Sequence, residues 1–114
     1  MSEKIYKIVS RREWLEATES GVYAGSEVDA QDGFIHFSAA HQVQETANKH
    51  FAGQEDLLLV AVEDDRLGEA LKWERSRGGD LFPHLYATLM VNSVSWVRDL
   101  VLMADGVHQL PDLN

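Results

Sequence analysis

The stretch "DLLLVAVE", Asp56 to Glu63, limits the fold more than any other part of the chain. Six consecutive apolar residues stand between acidic ends. Such a run is too short for an ordinary globular helix and far below the ~20 residues that span a bilayer. An uninterrupted apolar strand must be covered on both sides, so it predicts the centre of a sheet with elements packed on each face.

The covering elements are found nearby. Ser10 followed by Glu13 fits a capping box, and Trp14, Leu15 and Ala17 give the helix behind it an apolar face that stops near Gly21. A turn-rich loop with Gly21, Gly25 and Gly33 comes next. Ser38 is then placed to cap a second helix, "AAHQVQETANKHF", ending at Gly53, with Ala40, Val43, Ala47 and Phe51 toward the core. "KIYKIVS" reads as a first strand and "LKWERS" as a later one. "RGGD" is a turn, "LFPHLYATL" is extended chain interrupted by Pro83, and "VSWVRDLVL" supplies one or two further strands. Helices early and strands late predict an α+β fold, and a chain of 114 residues without repeats or a linker predicts one domain over 1–114.

Charge narrows the choice of partners. Ten basic against nineteen acidic residues leave a net charge of −9, which repels polyanions and argues against nucleic acid as a partner. The opening "MSEKIYKIVS" has no long apolar centre, so the expected compartment is the cytoplasm, with no membrane segment. Without cysteine, the chain can form neither disulfides nor thiolate sites. His41 and Glu45 are spaced to share one face of a helix, but a third ligand is missing, and no metal site is expected. His50 and His108 read as surface or helix-end residues.

The chemistry is expected in two other segments. In "DGFIHFS", strand alternation puts Phe34, His36 and Ser38 on one face and the core residues Ile35 and Phe37 on the other. In "FPHLY" the same rule groups Phe82, His84 and Tyr86, and in "LKWE" it separates Trp73 from Glu74. Each histidine therefore stands beside groups able to stack or hydrogen-bond. Taken singly, His36 also reads as a buried histidine bonded to a backbone carbonyl, and Ser38 as a helix cap.

Together, "DGFIHFS", Gln42 with Thr46 and Ala47, "LLLVAVE", "LKWE" and "FPHLY" followed by Trp96 resemble a bacterial family known as domain of unknown function 952, over Trp14 to Gly106. The resemblance implies an ADP-ribosyltransferase-like split β-sheet that binds NAD between its halves, with its two main helices from the first half of the chain. The order of segments is also similar to that of RNA 2′-phosphotransferases, in which His36 would lie beside the NAD ribose. Of the arginines used there, only Arg75 or Arg77 has a match, and no glutamate follows Tyr86.

What this implies is a small-molecule site taking NAD or a related nucleotide as substrate, with no resident cofactor. His36, His84 and Glu74 would be catalytic, and Ser38, Trp73, Tyr86, Arg75 and Arg77 would bind the ligand. His36 and Ser38 would hold ribose hydroxyls, Trp73 or Tyr86 would stack on a ring, an arginine would neutralise phosphate, and Glu74 would stabilise positive charge on the ribose. The alternatives are a non-catalytic metabolite-binding domain and a protein-interaction module. The interaction module requires that His36 and His84 lie apart.

Overall fold

The computed structural model describes residues 2–113, with the side chain of Arg77 outside the described set. The apolar run forms β5 (Leu57–Glu63), and its central position follows from pairing on both edges. On one side it runs antiparallel to β1 (Lys4–Ser10), and on the other to β9 (Trp96–Leu102). β1 also pairs with the short β4 (Ser38–Ala39), and β9 with β10 (His108–Gln109), giving a five-stranded sheet in the order β10-β9-β5-β1-β4.

Alternation along β5 feeds two separate cores. Leu58, Val60 and Val62 join Ile5 and Val9 beneath α1 (Arg11–Ser20), while Leu57, Leu59 and Ala61 join Tyr6 and Ile8 beneath α3 (Val43–His50). The first core also takes Ile35 and Phe37 and, from a second sheet, Leu85. That sheet has three strands in the order β3-β7-β6, namely β3 (Ile35–His36), β7 (Leu81–Leu85) and β6 (Leu71–Arg75). A two-stranded pair, β2 (Val22–Tyr23) with β8 (Leu89–Met90), completes the mixed α+β architecture.

Helix α1 forms where the capping signal places it. The Ser10 hydroxyl accepts the Glu13 amide, and Gly21, at φ 86°, closes the helix in the left-handed region. Trp14 and Ala17 are buried, but Leu15 points to solvent.

Three expectations need correction. The loop before "DGFIHFS" contains a helix, α2 (Glu27–Asp32), capped reciprocally by Ser26 and Asp29. Ser38 caps no helix. It pairs with Tyr6 in β4, its hydroxyl meets Thr46 at 3.2 Å, and α3 begins only at Val43. Ala40 is accordingly exposed, whereas Val43 and Ala47 are fully buried as predicted. In the turn between, Gln42 is buried, accepting the Ala39 amide at 2.9 Å and donating to the Leu81 carbonyl at 2.8 Å. His108 is neither a surface nor a helix-end residue. It is buried, and its Nε2 donates to the Gln54 carbonyl at 2.8 Å.

No helix among the described residues is long and apolar enough to cross a membrane. Leu59 is fully buried between β5 and α3. Leu59→Ala should therefore cost about 2–5 kcal/mol in urea unfolding, whereas truncation of exposed Leu15 should change stability by less than about 0.5 kcal/mol.

Candidate functional site

The three-stranded sheet places the candidate residues by register. Across it, His36 stands opposite His84, and His84 opposite Lys72. Directly paired residues share a face, so these three point the same way. One step along, Ile35, Leu85 and Leu71 are paired and point into the core. Phe34, Tyr86 and Glu74, each two residues from a member of the first row, fall on the histidine face.

Side-chain contacts agree with this register. The His36 and His84 rings lie 5.5 Å apart between centroids, edge to face. Phe34 stacks on His84 at 4.1 Å and 28°, and reaches His36 at 4.5 Å and Tyr86 at 5.2 Å. Glu74 Oε1 lies 2.9 Å from His84 Nδ1 and accepts the Tyr86 hydroxyl at 2.7 Å. The Tyr86 hydrogen bond, followed by that of His84, holds the Glu74 carboxyl below its ordinary range. In return, Glu74 raises the Tyr86 hydroxyl. A carboxylate on Nδ1 fixes the orientation of the His84 ring, which is buried beneath Phe34.

Beneath this face lies a charged network that the sequence reading missed. Asp29, 2% exposed, receives Lys7 Nζ at 3.1 and 2.9 Å, the Ser26 amide at 2.8 Å, and the His36 amide at 3.1 Å. His36 Nδ1 is 2.6 Å from the same carboxylate, and His36 Nε2 is 2.9 Å from Asp32. Burial pushes the Asp29 carboxyl up. The His36 hydrogen bond, the Lys7 charge and the Ser26 amide outweigh that effect and hold it well below the usual carboxylate range. For Lys7, burial lowers the pKa against the pull of Asp29. Gly25 permits the approach: at φ 107°, a Cβ there would lie 2.8 Å from the Asp29 Cβ.

Not every expected residue joins the cluster. Trp73 pairs with Pro83 on the opposite face, so it cannot stack with a ligand held by the histidines. Arg75 shares that parity, and its Nη1 donates to the Gly79 carbonyl at 3.0 Å. The Arg77 side chain lies outside the described residues. Ser38 is engaged with Thr46 in the other sheet. The cation that register does bring to the face is Lys72. Two signals could have revealed the network. One was a lysine between apolar neighbours in "IYKIV"; the other was the Ser26/Asp29 capping pattern.

Two surface hollows lie away from the histidines. One, of about 260 Å³, is bordered by Glu13, Tyr23 and Gly25, and the other, of about 310 Å³, by Arg11, Asp56 and Asp99. The first is close to the network, since after burial the charges of Asp29 and Glu13 are what push the Tyr23 hydroxyl up.

Because the Asp29 carboxyl is depressed in the folded state, its stabilisation is complete above its unfolded value of about 3.8 and is lost as pH falls through the folded value. Asp29→Asn should therefore flatten the acid limb of a stability-versus-pH curve. It should also cost about 3–5 kcal/mol at neutral pH, because Lys7 is left buried without its counter-charge. Urea titrations across the acid range would show both.

The family model described as "Protein of unknown function (DUF952)" matches residues 8–97. The crystal structure of protein CC0527 from Caulobacter crescentus is 59% identical and superposes with a TM-score of 0.91, covering 94% of each chain. A solution NMR structure of CC0527, also 59% identical, gives a TM-score of 0.86 and covers 94% of this chain and 92% of that one. No curated protein matches the chain. The matched segment contains the histidine face together with Asp29 and Asp32, Lys7 stands one residue before it, and the chain belongs to the DUF952 family.

Proposed function

We propose that the histidine face of the β3-β7-β6 sheet binds a small molecule, NAD or a related nucleotide, and supports ADP-ribosyltransferase-like chemistry. The observation that carries this reading is the oriented pair Glu74–His84, set in the same face as His36 and flanked by Phe34 and Tyr86. A protein-interaction module does not require two histidines, each oriented by its own carboxylate, to converge at 5.5 Å. The separation of a five-stranded from a three-stranded sheet is consistent with a split-sheet nucleotide fold and supports the reading at the level of architecture.

The roles follow from the geometry. Cleaving the bond between nicotinamide and ribose builds positive charge on the ribose, and Glu74 is the carboxylate on this face nearest His84. His84 Nε2 would hold or move a proton at a ribose hydroxyl, with Nδ1 kept in place by Glu74. Of the two stacking candidates, Trp73 and Tyr86, the one on this face is Tyr86, which would pack on a nucleotide ring. Lys72 would meet phosphate in place of Arg75.

Thermal-shift titration with NAD, ADP-ribose and nicotinamide tests this directly. A nucleotide present at about 100 times its Kd adds roughly 2.7 kcal/mol, a rise in Tm on the order of 10 °C. The rise should shrink in His84→Ala and in Glu74→Gln, and nicotinamide release from NAD should fall with it. Absence of a rise with all three compounds would remove the nucleotide reading.

A further inference from the structure

One turn of the chain already occupies the groups on this face that a ligand would use. Asp32, the last residue of α2, brings its carboxylate to 2.9 Å from His36 Nε2. Two residues later, Phe34 lies over His84, with centroids 4.1 Å apart. Gly33 stands between them in the left-handed conformation, at φ 86°, and turns the chain so that a carboxylate and a ring both reach the histidine pair.

The two carboxylates on His36 are not equivalent. Asp29 is buried and tied to Lys7 and to two backbone amides, so it holds Nδ1 in place whatever happens outside. The Asp32 side chain is 48% exposed. The Asp32 carboxylate stands directly against His36 Nε2, so a group that replaces Asp32 takes its place at that ring nitrogen. A replacement that restores the charge lost with Asp32 is itself an anion, and one that restores the contact with His84 carries a flat ring.

We infer that the Asp32-Gly33-Phe34 turn is an internal stand-in for the ligand. The ligand is a small planar ring bearing an anionic oxygen, which displaces the Asp32 carboxylate from His36 and the Phe34 ring from His84. The inference rests on the preceding reading that this face binds a small molecule, and it names the ligand class. It does not depend on cleavage of NAD.

The test is a titration of histidine-labelled protein with nicotinate and phenyl phosphate as ring-bearing anions and nicotinamide as the neutral control, followed through the His36 and His84 ring resonances. Both rings should shift with at least one anion, and nicotinamide should bind more weakly; which anion is preferred separates carboxylate from phosphate recognition. Asp32→Ala should lower the Kd of that anion roughly fivefold, the factor by which a half-exposed charged contact disfavours the open state. Phe34→Leu, a second variant that leaves Asp32 in place, should tighten binding in the same direction. Unchanged or weaker binding in both variants, nicotinamide binding as tightly as the anions, or no ring shift with any probe would each overturn the inference. If the anions bind but NAD and ADP-ribose do not, only the nucleotide reading fails. If NAD binds equally to the native protein and Asp32→Ala while the anions do not, only this inference fails.

Discussion

The Asp29 carboxylate holds the two sheets in relation to each other. Lys7 reaches it from β1 in the five-stranded sheet, His36 from β3 in the three-stranded sheet, and the Ser26 amide from the start of α2. Charges this deeply buried are not retained for net stability, since a well-packed apolar group of the same volume often does as well or better. Their effect is directional. A hydrophobic contact tolerates sliding and rotation, whereas a carboxylate with five nearby donor contacts fixes both the ring plane of His36 and the offset of one sheet on the other.

That offset divides the labour between the sheets. β5 is apolar on both faces because α1 and the smaller sheet cover one side and α3 the other. The smaller sheet lends only one face to the core, through Ile35 and Leu85, and its other face carries the histidines. Strand alternation therefore does two jobs in "FIHF": the residues that secure the strand also decide which neighbours can meet a ligand. His84 is similarly positioned between Pro83 and Leu85, both buried.

Much of this was legible in the sequence. The six-residue apolar run, the Ser10 cap and the separate groupings of Phe34 with His36 and of His84 with Tyr86 rest on local patterns, which a sequence displays. Joining the two histidines rested on the family resemblance, and strand pairing is what brings them together. The segregation of Trp73 from Glu74 was legible for the same reason, and register then decided which of the two joins the histidines. Ser38 was misread because a serine before an alanine-rich stretch fits a helix cap, while its pairing with Tyr6 depends on a strand more than thirty residues away in sequence. Asp29 and Lys7 were missed because a buried ion pair has no periodicity of its own; the lysine among apolar neighbours and the Ser26/Asp29 cap each mark one residue, and only the fold shows that the two meet. His108 followed the same pattern, since only the fold shows the Gln54 carbonyl that receives it.

The position of β6 has a consequence for how molecules of this protein meet each other. It is an outer strand of its sheet, so one row of its backbone amides and carbonyls is unpaired within the sheet and open to pairing with another chain. Lys72, Glu74 and Arg75 place three charges within its five residues. Those charges oppose edge-to-edge growth of the sheet, because pairing a second chain there would desolvate them. Glu74 thus does two things at once, orienting His84 and adding charge to an open edge, so a neutral replacement would alter both together.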